Sequence, residues 1–148
     1  MKNYNLIIPE EKDFCICSCL QAILNFEGKN IGQKDISKRL TLANGCGFKV
    51  NDEKIKKFFF DMGFNYVFYW ENETPFNEPE LVLEDMKRER GHGLVGIKDH
   101  SFLFYDFKYP ELKLIDPNDK EIKIKNYTRL IKEMYDAKGF FALIKRIN

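Results

Sequence analysis

Apolar residues recur at the spacing of a helix face through the first part of the chain. Cys15, Cys19, Ala22 and Phe26 fall at i, i+4, i+7 and i+11, and Leu20, Ile23 and Leu24 widen the same stripe. This predicts a helix over 14–26, stopped by Gly28 and apolar enough to lie centrally in a domain. A second, shorter helix is expected over 33–40 with Ile36 and Leu40 inward, followed by a turn at Asn44-Gly45-Cys46-Gly47. Asn51 reads as the N-cap of a third helix, with Val50 and Ile55 as a staple pair and Phe58, Phe59 and Met62 carrying the stripe to Gly63. Asn77 and Glu80 resemble a capping box, with Phe76 and Leu81 as its staple, for a fourth helix reaching Arg90 and closed by a turn at Gly91 and His92.

The pattern then changes period. Short β-branched or aromatic runs bounded by turn residues predict strands over 65–70, 93–98, 101–107, 112–115, 121–125 and 140–146, with one helix over 128–135 before the last. The Lys/Glu alternation of 121–125 reads as a solvated strand face. Helices first and strands afterwards is an α+β arrangement, a helical layer packed on an antiparallel sheet. With 148 residues, 44% of them hydrophobic, and no repeat, low-complexity tract or linker, one domain over 1–148 is expected.

Charge narrows the partners. Lys and Arg number 24 against 23 Asp and Glu, with the signs interspersed, so neither nucleic acid nor an anionic membrane surface is an expected partner. No apolar run approaches the ~20 residues of a membrane span, and the polar start does not resemble an export signal. A cytoplasmic setting follows, in which Cys15, Cys17, Cys19 and Cys46 stay reduced. The alternate spacing of the first three cysteines does not suit zinc, which favours loop-borne pairs. No metal or organic cofactor is implied.

A reactive cysteine needs its thiolate form, and a helix N-terminus favours it. Cys15 sits where the first helix begins, whereas Cys17 and Cys19 lie deeper and read as packing residues. A nucleophilic thiolate also needs a base, and the chain has only two histidines, His92 and His100. Residues 100–116 read as a hairpin with Lys108 at its midpoint, which would set His100 directly opposite Asp116 with β-carbons ~5 Å apart. Alternation places Phe102, Phe104, Leu112 and Leu114 on that face, which is expected to meet the helix of Cys15.

These segments carry a family resemblance. The run Phe14-Cys15-Ile16-Cys17-Ser18-Cys19-Leu20-Gln21-Ala22-Ile23-Leu24-Asn25-Phe26-Glu27-Gly28 resembles the nucleophile helix of the C39-type papain-like cysteine peptidases. His100-Ser101-Phe102-Leu103-Phe104 is similar to that family's histidine and following strand, and Leu114-Ile115-Asp116-Pro117 to its Asp-Pro. The resemblance implies a papain-like α+β fold and a triad of Cys15 as nucleophile, His100 as proton shuttle and Asp116 as orienter. It implies a peptide or other amide or acyl substrate attacked to give a thioester. Two positions depart from the family pattern. Where it has a glutamine six residues before the cysteine this chain has Pro9, and Phe14-Cys15-Ile16 replaces Asp-Cys-Gly. The readings left open are a peptidase or amidase, an acyltransferase, and a peptide-binding module without turnover.

Overall fold

The computed structural model describes residues 2–12, 14–40, 53–70, 78–97, 100–136 and 139–147. The expected turn at 44–47 and the capping roles of Val50, Asn51, Phe76 and Asn77 lie outside them. Within them the order is α1 (Cys15–Phe26), α2 (Gln33–Arg39), α3 (Glu53–Asp61), β1 (Phe64–Trp70), α4 (Pro79–Lys87), β2 (Gly91–Ile97), β3 (His100–Lys108), β4 (Glu111–Ile115), β5 (Ile122–Asn126), α5 (Tyr127–Asp136) and β6 (Phe140–Arg146). The α+β expectation holds. Gly28 ends α1 as its sequence position predicts: it adopts φ +81°, and the Lys29 N–H reaches back to the Leu24 carbonyl at 2.7 Å.

The six strands form one antiparallel sheet in the order β1-β6-β2-β3-β4-β5. Both of its faces are covered. Leu94, Leu103, Ile115, Ala142 and Ile144 pack with α1, α2 and α3, while Val95, Phe104, Leu114, Phe141 and Leu143 pack with α4 and α5. Each pair of chain neighbours thus divides between two apolar cores, as strand alternation requires, and every residue of β2 is buried.

This two-sided burial corrects several readings. Phe102, Phe104, Leu112 and Leu114 do share a face, but they meet α4 and α5, not the layer of α1. When both faces are apolar, alternation says which residues go together and not which helices they meet. His92 belongs to strand β2 and not to a helix-ending turn, because α4 stops at Lys87. The N-cap of α4 is Glu78, and Leu81 is exposed. On β5 the isoleucines Ile122 and Ile124 are exposed, whereas Lys123 and Lys125 are half-buried, Lys125 with its ammonium over the Phe102 ring.

Candidate active site

The direction of α1 sets the site. Its C-terminal end lies by the start of β2, where Phe26 packs edge-on to His92 with ring centroids 5.4 Å apart. Nearer its other end, the Cys19 thiol approaches the Ser101 carbonyl at 3.9 Å, next to His100. Cys15 stands one further turn towards the N-terminus, about 6 Å along the axis. The first residue of α1 thus lies one turn beyond the Cys19–Ser101 contact, at the end of the helix away from His92. Cys15 is half-buried, while Cys17 and Cys19 are fully buried packing residues. The helical ladder starts with the Ser18 N–H to the Phe14 carbonyl at 2.8 Å, so the Cys15 N–H belongs to the opening turn, where the helix dipole is positive.

His100 and Asp116 come together. Nε2 of His100 donates to Oδ1 of Asp116 at 2.9 Å, with the two side chains 27% and 18% exposed. The ladder expected to join them differs. Lys108 is not the midpoint but pairs with Glu111 across a two-residue turn, Tyr109-Pro110, and a bulge at Tyr105 shifts the register again. Leu103 pairs with Ile115, so continuing the ladder sets Asp116 against Phe102 and not against His100. The contact survives because Asp116 lies past the end of β4, in a turn that aims its carboxylate diagonally. The same Oδ1 accepts the Asn118 N–H at 3.0 Å, and the Asp116 carbonyl accepts the Lys120 N–H at 2.8 Å. A carboxylate accepts only, so Nε2 carries a hydrogen, and in the neutral ring the lone pair is on Nδ1.

The approach to Cys15 is the extended segment 2–10, which is tied down along its length. Lys2 donates to the Arg88 carbonyl at 2.7 Å, and Ser18 Oγ donates to the Ile7 carbonyl. Gln33, fully buried, donates to the Ile7 and Ile8 carbonyls at 3.2 and 3.0 Å and accepts the Glu10 N–H at 2.9 Å. Glu10 and Glu11 are exposed. The clamping role of Gln33 had no sequence signal, since a glutamine near a helix start suggests nothing beyond a polar surface position.

The second histidine forms a separate network at the far end of α1. Tyr4 donates its hydroxyl hydrogen to Nδ1 of His92 at 2.6 Å, and Nε2–H donates to Oε2 of Glu27 at 2.8 Å. Arg146 donates to the other carboxylate oxygen at 3.3 Å. Burial pushes the His92 pKa down to about 4 despite the hydrogen bond to Glu27, so this ring is neutral near pH 7. Period-2 alternation, which puts His92 on the face of Leu94, was the available signal for its burial.

No protein-family model and no curated protein matches the sequence. Solved structures do resemble the fold. A double glycine motif protease from an AMS/PCAT transporter, in complex with the leader peptide, matches over 98% of this chain and 93% of that one at 16% identity and TM-score 0.67. The peptidase domain of Streptococcus ComA, a bi-functional ABC transporter involved in quorum sensing, matches over 97% and 99% at 14% identity and TM-score 0.68. A C39-like peptidase from Bacillus anthracis matches over 99% and 96% at 9% identity and TM-score 0.68. The chain has the fold of the C39 peptidase domains. Among the described residues no helix is long and apolar enough to cross a membrane.

Proposed function

We propose that this protein is a cysteine-dependent peptidase or amide hydrolase in which Cys15, His100 and Asp116 act together. The observation that carries the reading is the 2.9 Å hydrogen bond from His100 Nε2 to Asp116, and it is supported by the position of Cys15 at the N-terminal end of α1, one turn beyond the contact of Cys19 with the Ser101 carbonyl. With Nε2 committed, Nδ1 is the nitrogen that takes the proton of the Cys15 thiol. The thiolate attacks the substrate carbonyl carbon, and the oxyanion is met by the Cys15 backbone N–H. Collapse expels the amine, which takes its proton from Nδ1, and leaves a thioester on Cys15. Water, deprotonated by His100, then releases the acid and restores the thiol. An amine in place of water would make the same intermediate an acyl-transfer step.

A peptide as substrate is supported by the leader peptide held by one protein of this fold. That likeness also favours a second reading, a peptide-binding module without turnover, to which the replacement of the family's glutamine by Pro9 points.

Iodoacetamide at mildly acidic pH separates the two. Selective alkylation of Cys15 among the four thiols, lost in His100→Ala, together with new termini in a pooled synthetic peptide library, is the expected result. Equal, slow labelling of all four thiols without cleavage, alongside retention of peptides by the protein, would leave only the binding module.

A further inference from the structure

The geometry points to Phe102 as a positioning residue for His100: its ring backs the imidazole and keeps water from one side of the His100–Asp116 hydrogen bond, while Lys125 holds the ring in place. The inference rests on the proposed role of His100. It concerns a residue that sequence alternation treats as ordinary core.

Three observations meet at this side chain. The rings of His100 and Phe102 are 4.6 Å apart between centroids and inclined at 83°, an edge-to-face pair. On the ladder extended from Leu103–Ile115, Phe102 occupies the rung of Asp116, so its ring stands at the corner where histidine and carboxylate meet diagonally. Its own ring is cupped by Lys125 of β5, whose Nζ lies 5.8 Å from the ring centroid.

Exposure explains why such a wall matters. The His100 and Asp116 side chains are 27% and 18% exposed, whereas Phe102 is 8% exposed and belongs to the second core. Water therefore reaches the dyad from one side and meets an aromatic wall on the other. A hydrogen bond in a medium of lower dielectric is stronger and better oriented than one in water. His100 pairs with Ile97 of β2, but on its other side the ladder with β4 begins only at Leu103, so no β4 rung fixes its ring angle. The diagonal bond to Asp116 sets one point of the ring, and the edge-to-face contact sets its plane. Together they aim Nδ1.

The test reads the imidazole hydrogens directly in 15N-labelled protein. The chain has only two histidines, so the Asp116→Asn variant assigns the His100 Nε2–H signal against that of His92. Phe102→Leu, which keeps an apolar side chain and loses the ring, is expected to speed exchange of that hydrogen with water about tenfold and to lower kcat on a cleaved peptide similarly, with KM little changed. Phe102→Tyr, which keeps the ring, is expected to restore both. Lys125→Met removes only the cation from a half-buried site and should raise the exchange about threefold without disturbing the fold. Unchanged Nε2–H exchange in folded Phe102→Leu, or in Lys125→Met should the leucine variant not fold, overturns the proposal. A protein that cleaves no peptide yet shows the ring-dependent exchange supports Phe102 as the positioning residue and removes only the peptidase reading. An Nε2–H signal indifferent to Asp116→Asn overturns both.

Discussion

A histidine whose Nε2–H is held by a carboxylate exchanges protons through its other nitrogen, which is why the orientation of His100 matters more than its presence. Asp116→Asn keeps the turn but offers an amide able to donate as well as accept, so the tautomer is no longer fixed. Peptide turnover should fall roughly 10²–10⁴-fold, with Cys15 still alkylated but more slowly. His92 gives a separate, pH-dependent prediction. Its pKa is lowered to about 4 in the folded protein, against about 6.5 when unfolded. Above pH ~6.5 neither state is protonated and the stabilisation is complete; as the pH falls the unfolded chain takes up a proton that the folded one resists, and stability declines until about pH 4. The loss is on the order of 3 kcal/mol, measurable by urea unfolding across that range. His92→Gln, which can still accept from Tyr4 and donate to Glu27, should flatten most of this slope. Of the two histidines, His100 was recognisable because Ser101, Phe102 and Asp116-Pro117 surround it with family features. His92 lay between two glycines and so resembled a turn.

Those glycines show their purpose only at the scale of elements. A β-carbon added at Gly91 would lie 2.1 Å from the Asp85 carbonyl oxygen of α4, so the strand starts with glycine because the helix passes directly over it. Gly91→Ala must displace backbone and is expected to cost about 2 kcal/mol in thermal or urea unfolding, although the residue is far from Cys15. The hairpin of β3 and β4 teaches a related lesson. Its two strands were legible from their apolar alternation, but its register was not, since the turn sits at Tyr109-Pro110 and a bulge follows at Tyr105. The bulge lets Phe104 and Phe107, three residues apart, enter the same core. The His100–Asp116 contact tolerates this shift because it is made beyond the end of the ladder.

Across the whole molecule, segment 2–10 runs along α1 from the His92 network towards Cys15, joining the two ends of the domain. Gln33 is its principal clamp: the two hydrogens of Nε2 are shared among the Ile7 and Ile8 carbonyls and the Gln21 side chain, the last at 3.0 Å, and Oε1 accepts from Glu10. Gln33→Ala leaves the buried Gln21 side chain, the part-buried Ile8 carbonyl and the Glu10 N–H without this partner and should destabilise the protein by about 1–3 kcal/mol. Backbone hydrogen exchange would show faster exchange at Glu10, whose N–H loses its acceptor, while β2 at the sheet centre stays protected.

Local patterning determined the order of helices and strands, the helix stop at Gly28 and the central place of α1, and together with the family resemblance of their flanking residues it singled out Cys15, His100 and Asp116 as the candidate trio. These are set by side-chain periodicity, backbone preference and the chemistry each residue type can perform, all of which act over a few neighbours. Which face of the sheet meets which helices, the diagonal reach of Asp116, the burial of His92 and the clamp at Gln33 were decided only by tertiary packing. Each depends on groups distant in sequence competing for the same space and the same hydrogen-bond partners, and no local pattern encodes the outcome of that competition.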